Sequence, residues 1–322
     1  MDKNISRPNC IFCKKELAIL VLTNISKNGN SYDIYECDQC EIAMLNPFPT
    51  DIELAKLYSC GNYRTTKGKR FGYIIETLIH LGRIKKRKRI HQFVKTGKIL
   101  DIGCGRGLFL DVMRRGGWDT IGTEFNEETA SYAINTYGLK ILPGDIAQYK
   151  LPAESLDAIN INQVLEHLKN PDKVLEESHR LLRKGGILIV SVPDLRSPQF
   201  AIGKKNWAYL DLPFHLFHFT EEGLSELLKK NEFRVKHIKR FSLEMGPFGW
   251  LQTLLNISGI PYNLLYDLLK TSELRDEKIN PSGIIATFLL LPIYFPLALI
   301  LSVLEPLLWK RGGSIEVYAE KK

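Results

Sequence analysis

The glycine-rich segment 98–110, KILDIGCGRGLFL, constrains the fold of this chain more than any other stretch. An apolar run that predicts a β-strand contains Asp101, and three alternating glycines then lead into a helical pattern. Glycines let a ligand approach the backbone where a Cβ atom would clash, and the following helix points its first N–H groups at that ligand. The third glycine, Gly107, comes one position earlier than a dinucleotide fingerprint requires, so the loop predicts another nucleotide-type cofactor.

Acidic and glycine positions recur in order after this loop. Residues 121–124 end the next predicted strand with an acid, residues 144–146 follow the third strand, and residues 156–160 form the fourth. A Gly-Gly turn then precedes a fifth apolar strand at 187–193. This order, over residues 90–240, resembles the class I S-adenosylmethionine-dependent methyltransferases, and also the methylases of the quinone pathway.

The resemblance implies a doubly wound α/β fold with a mostly parallel seven-stranded sheet, and S-adenosylmethionine as the cofactor. It places Asp101 near the methionine amino group and Glu124 on the ribose hydroxyls. It also implies that Asp145 accepts a hydrogen bond from the adenine amino group, with Ile146 against the ring. The alternative for these acids is hydrogen bonding within helices and loops. The rest of the expected cofactor-binding set consists of Gly103, Gly105, Gly107, Phe125 and Gln163.

The acceptor side of the expected site is defined less sharply. Residues 162–165, NQVL, depart from the Asn/Asp-Pro-Pro-aromatic motif of amino-group methyltransferases, which favours a hydroxyl acceptor. A hydroxyl acceptor calls for a base whose pKa is near neutral, and histidine suits this role. We expect His215 or His167 to be that base, with His218 as a third candidate and a structural role as the alternative for each.

Two cysteine pairs stand near the N-terminus, Cys10-x-x-Cys13 and Cys37-x-x-Cys40. Each pair can direct two thiolates to one tetrahedral ion, and four protein ligands leave no open coordination position. The spacing therefore predicts a structural zinc ribbon, with rubredoxin-like iron and disulfide bonds as alternatives. Such a ribbon before an Asn-Pro-x-Pro linker resembles the N-terminal lobe of bacterial methyltransferases of glycan and small-molecule pathways.

The net charge of +8 is concentrated in one region. Residues 65–98 contain eleven Lys or Arg and one acid, Glu76, which gives a local net charge of +10. The densest part, RIKKRKR at 83–89, is called the basic run below. It is interpreted either as a solvated helix face or as a contact for anionic lipid headgroups or a phosphate-bearing substrate. Nucleic acid is disfavoured, because no aromatic residues suited to base stacking alternate with the charges.

The stretch 283–304 contains 22 residues without a charge, enough to span a bilayer. Residues 315–319 alternate like a seventh strand, which a single crossing would leave on the wrong side of the membrane. Pro292 and Pro296 interrupt the stretch, and basic residues flank both of its ends. These features favour a proline-broken re-entrant or interfacial helical hairpin, with a true span and a helix buried against protein as alternatives. The flanking basic residues are Arg275, Lys278, Lys310 and Arg311.

We expect the chain in the cytoplasm, at the cytoplasmic face of the membrane, because no secretory signal is visible. The expected function is methyl transfer to a hydroxyl of a membrane-linked or amphiphilic glycan or small molecule. Alternatives are a polyprenyl phenol of the quinone pathway, a sugar nucleotide, an RNA-associated methyltransferase, and a cofactor-binding protein without turnover. The expected organisation is a zinc ribbon at 1–45, a linker and helical lead-in at 46–96, a methyltransferase core at 97–240 and 312–322, and a hydrophobic helical insertion at 241–311.

Overall fold

The structure is a computed structural model that describes residues 8–27, 29–59, 71–270 and 281–322. Arg275 and Lys278, which were predicted to flank the apolar stretch, lie outside these residues. In chain order the strands are β1 (Ile19–Lys27), β2 (Asn30–Glu36), β3 (Ile42–Asn46), β4 (Lys98–Ile102), β5 (Asp119–Glu124), β6 (Lys140–Pro143), β7 (Leu156–Asn162), β8 (Leu182–Pro193), β9 (Phe217–Phe219), β10 (Phe233–Lys239) and β11 (Ser314–Lys321). The helices are α1 (Asp51–Ser59), α2 (Tyr73–Ile90), α3 (Leu108–Arg114), α4 (Glu127–Tyr137), α5 (Pro171–Leu181), α6 (Pro198–Gly203), α7 (Glu221–Lys230), α8 (Met245–Ile257), α9 (Leu264–Leu269) and α10 (Pro281–Leu308).

The centre of the described structure is a seven-stranded sheet with the order β10-β11-β8-β7-β4-β5-β6. Strands β4 to β8 run parallel, and β11 lies antiparallel between β8 and β10. Leu100 and Ile159, in the two central strands, have no exposed surface, as expected where helices cover both faces of a parallel sheet. The predicted doubly wound, mostly parallel seven-stranded sheet is thus confirmed, together with its C-terminal seventh strand.

The helix that follows β5 shows how local sequence positions the loops at the carboxyl edge of this sheet. The Asn126 side chain accepts a hydrogen bond from the Thr129 N–H (2.9 Å) and so caps the start of α4 two residues after β5 ends. Gly138, with φ 63°, ends α4 in the left-handed conformation that favours glycine. Short connections of this kind bring the polar residues at the ends of β4, β5, β6 and β7 to one edge.

The N-terminal segment forms a second, antiparallel sheet whose order is β1-β2-β3-β9. Its fourth strand, β9, comes from the chain after β8, and Ala43 pairs with His218 across the junction. The Thr220 hydroxyl donates to the Glu41 carbonyl (2.8 Å) beside the second cysteine pair. A Cβ atom on Gly223 would lie 2.5 Å from the same carbonyl oxygen, so this glycine lets α7 approach the ribbon closely. The two sheets therefore share one continuous hydrophobic core.

Helix α10 is a single helix of 28 residues that continues through Pro292, Pro296 and Pro306. The predicted hairpin is therefore wrong. A proline removes one backbone hydrogen bond and bends a helix, but a chain reversal also needs turn residues. Residues 288–301, FLLLPIYFPLALIL, contain no Gly, Asn, Asp or Ser. The prolines consequently bend a helix that has no sequence at which to reverse.

Most of the α10 surface is exposed, although one narrow strip packs against α8. Only 11% of its most apolar window is buried by the described residues, so α10 is not buried in the core of this chain. Among the described residues this is one helix long and apolar enough to cross a membrane, judged by length and composition. The chain returns from α10 directly to β11 in the central sheet. The strip that packs inward consists of Gly283, Thr287, Ala298, Ser302 and Glu305.

Candidate active site

The glycine-rich loop after β4 combines two packed glycines with one that faces open space. Gly103, Gly105 and Gly107 have φ values of 68°, 55° and 76°, in the left-handed region that disfavours other residues. A Cβ atom on Gly103 would lie 2.5 Å from the Val164 side chain, and one on Gly107 would lie 2.5 Å from Leu139. A Cβ atom on Gly105 would meet nothing within 4 Å. A ligand can therefore approach the loop backbone at Gly105, as the sequence predicts for a nucleotide-type cofactor.

Asp101 lies at the end of β4, beneath this loop, and is almost fully buried. One of its carboxylate oxygens accepts a hydrogen bond from Asn160 Nδ2 at 2.5 Å. Burial raises the pKa of Asp101 to about 6, although the Asn160 hydrogen bond and the nearby charges of Lys86 and Arg83 oppose the rise. A cationic ligand group beside this carboxylate would favour its ionised form. The contact of Asp101 with the methionine amino group stays a prediction.

Glu124, the last residue of β5, joins that strand to the glycine loop. Its Oε2 accepts from the Gly105 N–H (2.8 Å), and its Oε1 accepts from the Asn126 N–H (2.9 Å). The loop-bracing role, which was the structural alternative, is therefore present. Each carboxylate oxygen has a second lone pair, so the same group can also accept from ribose hydroxyls.

The remaining predicted cofactor residues lie at the ends of the next strands. The exposed Asp145 accepts from the Ala147 N–H (3.0 Å) and caps a short 3-10 turn after β6. Ile146 is only 1% exposed and belongs to the hydrophobic core, whereas the Phe125 side chain is 73% exposed. Gln163 follows β7 with a positive φ of 54°. Their contacts with adenine and methionine stay predictions, and the structure brings all four residues to the carboxyl edge of the sheet.

Two cations of the basic run, the buried Lys86 and the partly buried Arg83, form ion pairs at the same edge, which the sequence reasoning missed. Lys86 Nζ is 2.9 Å from the Glu316 carboxylate and 3.0 Å from Asn162 Oδ1. Arg83 NH1 is 2.5 Å from the Glu244 carboxylate. Burial alone would raise the pKa of Glu316, but Lys86 and Lys239 outweigh it and hold that pKa well below its usual value. No local pattern in the run distinguishes these two cations, because their acidic partners are more than 150 residues away in sequence.

The other members of the run divide between protein contacts and solvent. Arg87 donates to the Val112 carbonyl at 2.9 Å, and Arg89 NH1 lies 2.8 Å from His237 Nε2. Lys85 and Lys88 are exposed. The run is therefore mostly an anchor of α2 on the core, with two of its six cations directed to the surface.

His167 and His215, the predicted base candidates, lie together beyond the end of β7. Their ring centroids are 4.6 Å apart. Nδ1 of His167 is 2.9 Å from the Phe214 carbonyl oxygen, and Nδ1 of His215 is 3.0 Å from that of Tyr209. A carbonyl oxygen can only accept, so we assign the proton of each neutral ring to Nδ1. Each Nε2 is then in the form that can accept a proton or bind a cation.

Glu166 adds a buried carboxylate to this pair, and the sequence reasoning passed over it although it adjoins His167. Its Oε1 lies 4.0 Å from His215 Nε2, and Asp211 Oδ2 lies 3.8 Å from the same nitrogen. The ligand atoms of Glu166, His167 and His215 are all within 4.8 Å of one another, so the group could hold a proton or a cation. Nearby carboxylates favour a protonated imidazole, which is what a base becomes after it accepts a proton.

The third candidate, His218, is unsuited to act as a base. It lies in β9 and is almost fully buried. Burial, followed by the neighbouring His215, lowers the pKa of His218 to about 3. At neutral pH its ring therefore binds a proton too weakly for general-base catalysis.

The cofactor loop and the histidine pair adjoin each other through Val164. This side chain packs on Gly103, and Glu166 and His167 follow it by two and three residues. The backbone N–H of Leu216 donates to the Glu166 carbonyl at 2.9 Å, which fixes the His215 segment against the same turn. A molecule bound between the loop and the histidines would therefore contact both.

The four N-terminal cysteines converge on one point. The Sγ atoms of Cys10 and Cys40 are 3.9 Å apart, those of Cys13 and Cys37 are 3.5 Å apart, and all four lie within 4.8 Å of one another. Ligands about 2.3 Å from a tetrahedral zinc ion are about 3.8 Å from each other, so the set fits one such ion. None of these cysteines forms a disulfide. The fit supports a structural metal, and zinc as the ion in this site stays a prediction.

Comparison with known proteins identifies relatives of the core. Residues 70–238 match a family model described as a methyltransferase domain. A probable S-adenosylmethionine-dependent methyltransferase of Mycolicibacterium smegmatis is 34% identical over 146 residues, which cover 43% of this chain and 52% of that protein. A ubiquinone biosynthesis O-methyltransferase of Maricaulis maris is 33% identical over 193 residues, covering 57% and 68%. The chain spans about half the length of the mycobacterial relatives that it matches.

Solved structures also match this chain in part. An S-adenosylmethionine-dependent methyltransferase of Thermotoga maritima, described as a possible histamine N-methyltransferase, is 19% identical with a TM-score of 0.46. The similarity covers 78% of this chain and 92% of that protein.

Proposed function

Because the chain belongs to the family of S-adenosylmethionine-dependent methyltransferases, we propose that it transfers the methyl group of S-adenosylmethionine to a hydroxyl of a small or lipid-linked acceptor. One observation carries the cofactor part of this proposal. The backbone of Gly105 faces open space while its N–H contacts the Glu124 carboxylate, which is the arrangement that a nucleoside cofactor needs.

The residues around the loop match the charges of the cofactor. When bound, S-adenosylmethionine supplies an electrophilic sulfonium methyl group, and the protein supplies its alignment. Asp101 would pair with the ammonium group of the methionine part, and Glu124 would accept from the ribose hydroxyls. The turn that carries Glu166 and His167 adjoins the same loop through Val164.

A hydroxyl acceptor would lose its proton as its oxygen bonds to the methyl group, while the bond between sulfur and methyl breaks and leaves S-adenosylhomocysteine with the electron pair. In this proposal Nε2 of His215 accepts the proton of the acceptor hydroxyl. The Nδ1 atom already contacts the Tyr209 carbonyl, and two carboxylates lie near Nε2. Glu166 and Asp211 would stabilise the resulting imidazolium. His167 is the second candidate, since its Nδ1 contacts a carbonyl in the same way.

The acceptor is proposed to be an amphiphilic or membrane-linked molecule at the cytoplasmic face of the membrane, with a lipid-linked glycan first. The exposed apolar surface of α10 supports this class. A polyprenyl phenol of the quinone pathway is the second candidate, because the relative from Maricaulis maris is named as a ubiquinone biosynthesis O-methyltransferase. An RNA acceptor has little support, since four cations of the basic run contact other protein groups.

Calorimetry with S-adenosylmethionine tests the cofactor site. Glu124→Ala should weaken binding at least tenfold, since a hydrogen bond to a charged group contributes about 1.5–3 kcal/mol. Glu127→Ala removes the same charge from an exposed position three residues later and should leave the affinity within about twofold, as expected for a surface change. Equal affinity of Glu124→Ala and wild type, or no binding by the wild type, would contradict the proposal.

Transfer of a labelled methyl group tests the acceptor. The wild type should label a lipid-linked glycan extract or a polyprenyl phenol, and label neither RNA nor sugar nucleotides. His215→Gln should lower kcat by about 100-fold or more at unchanged cofactor affinity, because a general base contributes that much. His80→Gln, at an exposed position on α2, is the control. Label found on nitrogen or carbon, or full activity of His215→Gln, would overturn the assignment of the base.

A further inference from the structure

The exposed surface of α10 is apolar along the length of the helix. Leu289 is 71% exposed and Ile293 is 63% exposed, where a soluble helix normally carries charged residues. A contiguous apolar surface of this kind marks a contact with a membrane or with another protein. The other large apolar residues exposed on α10 are Ile285, Phe288, Phe295, Leu297, Leu299, Ile300, Val303, Leu307 and Leu308.

The polar groups of α10 point inward, which favours lipid over protein as the occupant. Glu305 is the one charged residue in its 28 described residues, and it accepts from Trp250 Nε1 (3.0 Å) and Gln199 Nε2 (3.1 Å) in the interior. The Thr287 and Ser302 hydroxyls donate to carbonyls of the helix itself. Protein interfaces carry about one hydrogen bond per 100–200 Å². The outer face of α10 has almost no side chain that could make one.

Both ends of α10 are held on the globular body. A Cβ atom on Gly283 would lie 2.9 Å from Leu264, and one on Gly246 would lie 3.3 Å from Ser302. At about 1.5 Å per residue the helix is about 42 Å long, and it is packed inward near its start and its end. With β11 paired in the sheet, α10 cannot cross a bilayer, so it can only lie along one.

Basic residues border this surface. Trp309 and Lys310, at the end of α10, are exposed. Lys204 and Lys205 line an open groove of about 520 Å³ together with Ile257, the last residue of α8. The next residue, Ser258, hydrogen-bonds to Tyr294 in the middle of α10 at 2.7 Å. Lysines and tryptophan around an apolar face are typical of a protein surface that rests on anionic lipid.

We propose that α10 lies in the plane of an anionic membrane surface, with its apolar face among the acyl chains and Lys204, Lys205 and Lys310 on the headgroups. This docking extends the proposed function but does not depend on methyl transfer, because it can be measured without cofactor or acceptor. It assigns α10 to a single leaflet rather than to a hairpin or a span.

Vesicle flotation of the full chain tests the docking surface. The wild type should float with vesicles of phosphatidylcholine and phosphatidylglycerol. Leu289→Glu should reduce the bound fraction about tenfold, since an acid on the apolar face must be desolvated. The matched control, Ile52→Glu on α1, alters an apolar residue that is 82% exposed and should bind as the wild type does. Wild-type binding by Leu289→Glu would overturn the proposal, as would a wild-type dimer that Leu289→Glu dissociates.

The headgroup contact is tested by two lysine pairs. Lys204→Gln with Lys205→Gln should lower binding to phosphatidylglycerol vesicles about tenfold and leave binding to pure phosphatidylcholine unchanged. Lys85→Gln with Lys88→Gln removes two exposed cations of the basic run and should change neither. If the Lys85 and Lys88 pair lowers binding and the Lys204 and Lys205 pair does not, the docking surface lies on α2 and the proposal is contradicted.

The depth of α10 distinguishes an in-plane helix from a span. Trp309 is 53% exposed, whereas the other three tryptophans, Trp118, Trp207 and Trp250, are buried. Lipids brominated near the headgroup should therefore quench the fluorescence of Trp309 in the bound wild type. A reporter tag after Lys322 should stay on the side of the membrane where the protein was added. A tag that becomes protected inside the vesicle would show a span and overturn the in-plane arrangement.

Discussion

The N-terminal ribbon and α10 are both apolar additions to the same α/β core, yet they bury their apolar residues very differently. In the ribbon, Leu17 and Ile34 have no exposed surface, while Leu289 and Ile293 of α10 are mostly exposed. The ribbon is extended by a strand of the core, β9, whereas α10 packs against two helices, α8 and α9.

The difference lies in the number of apolar faces that each element presents. The second half of β2 alternates between buried and partly exposed residues, so its apolar residues share one face and one partner sheet can cover them. Helix α10 is apolar over most of its circumference, and its neighbours α8 and α9 cover only a strip of it. Hydrophobicity alone therefore does not predict burial within the chain. The remaining faces need an occupant from outside, and the membrane is the one proposed here.

The largest expected effect comes from breaking the ribbon. Cys37→Ser should release the bound metal and destabilise the ribbon by several kcal/mol, because structural zinc binding contributes about 10 kcal/mol or more to folding. Since β3 pairs with β9, the loss should extend to His215 and lower methyl transfer. Hydrogen exchange of residues 217–219 and elemental analysis measure both effects.

The control for this change is Cys104→Ala, which alters a cysteine outside the cluster. It should retain the metal and the protection of β9. A Cys37→Ser protein in which β9 stays fully protected would show that the ribbon and the core are energetically separate, contrary to the shared core described above.

Two glycines allow a direct comparison of how tightly the ribbon and α10 are packed on the core. A Cβ atom on Gly223 would meet the Glu41 and Cys40 carbonyl oxygens at 2.5 and 2.6 Å, which are rigid backbone atoms. One on Gly283 would meet side-chain atoms alone, the end of Leu264 at 2.9 Å and the Pro261 ring at 3.1 Å. Gly223→Ala should therefore lower the free energy of unfolding by about 2–3 kcal/mol, as overpacking does.

Gly283→Ala should change the same free energy by less than about 1 kcal/mol, because the alanine helix propensity offsets the mild crowding. Thermal unfolding of both variants against the wild type measures the difference. Equal losses in the two would mean that α10 is packed as rigidly as the ribbon, and the contrast between the two regions would fail.

The sequence predicted the parts of this molecule that depend on local pattern. The alternating glycines at 103–107 and the alternating strand at 315–319 both require particular residues at fixed spacing, so they are visible without a structure. The cysteine pairs belong to the same class. The central sheet was predicted from the order of the strand, glycine and acidic positions along the chain.

The features that were missed depend on contacts between distant segments. Lys86 reaches Glu316 across the sheet, and β9 adds to the ribbon although 170 residues separate it from β3. The local sequence around each segment does not indicate which distant segment it contacts. The hairpin prediction failed for another reason, since it treated Pro292 and Pro296 as breaks when the helix accommodates them as bends.

The smallest predicted effect concerns the buried carboxyl that holds α10. Burial raises the pKa of Glu305, although hydrogen bonds from Gln199 and Trp250 oppose the rise. A carboxyl whose pKa is higher in the folded state contributes stability below its unfolded pKa, and that stability is lost as pH rises through the folded value. Removing the ionisable group should therefore raise the free energy of unfolding most at high pH.

Glu305→Gln should accordingly gain stability relative to the wild type between pH 5 and pH 8, by on the order of 1 kcal/mol, the size of one buried hydrogen bond. Glu320 gives the opposite sign, because its hydrogen bond from Arg234 lowers the pKa of that carboxyl. Glu320→Gln should instead be slightly less stable than the wild type by an amount that is constant between pH 5 and pH 8 and disappears as pH falls through the lowered folded pKa. Denaturant unfolding followed by tryptophan fluorescence at pH 3, pH 5 and pH 8 measures the two pH dependences. If Glu305→Gln shows no change with pH, the Glu305 carboxyl is solvated, and the packing of α10 against its neighbouring helices holds it on the core without this carboxyl.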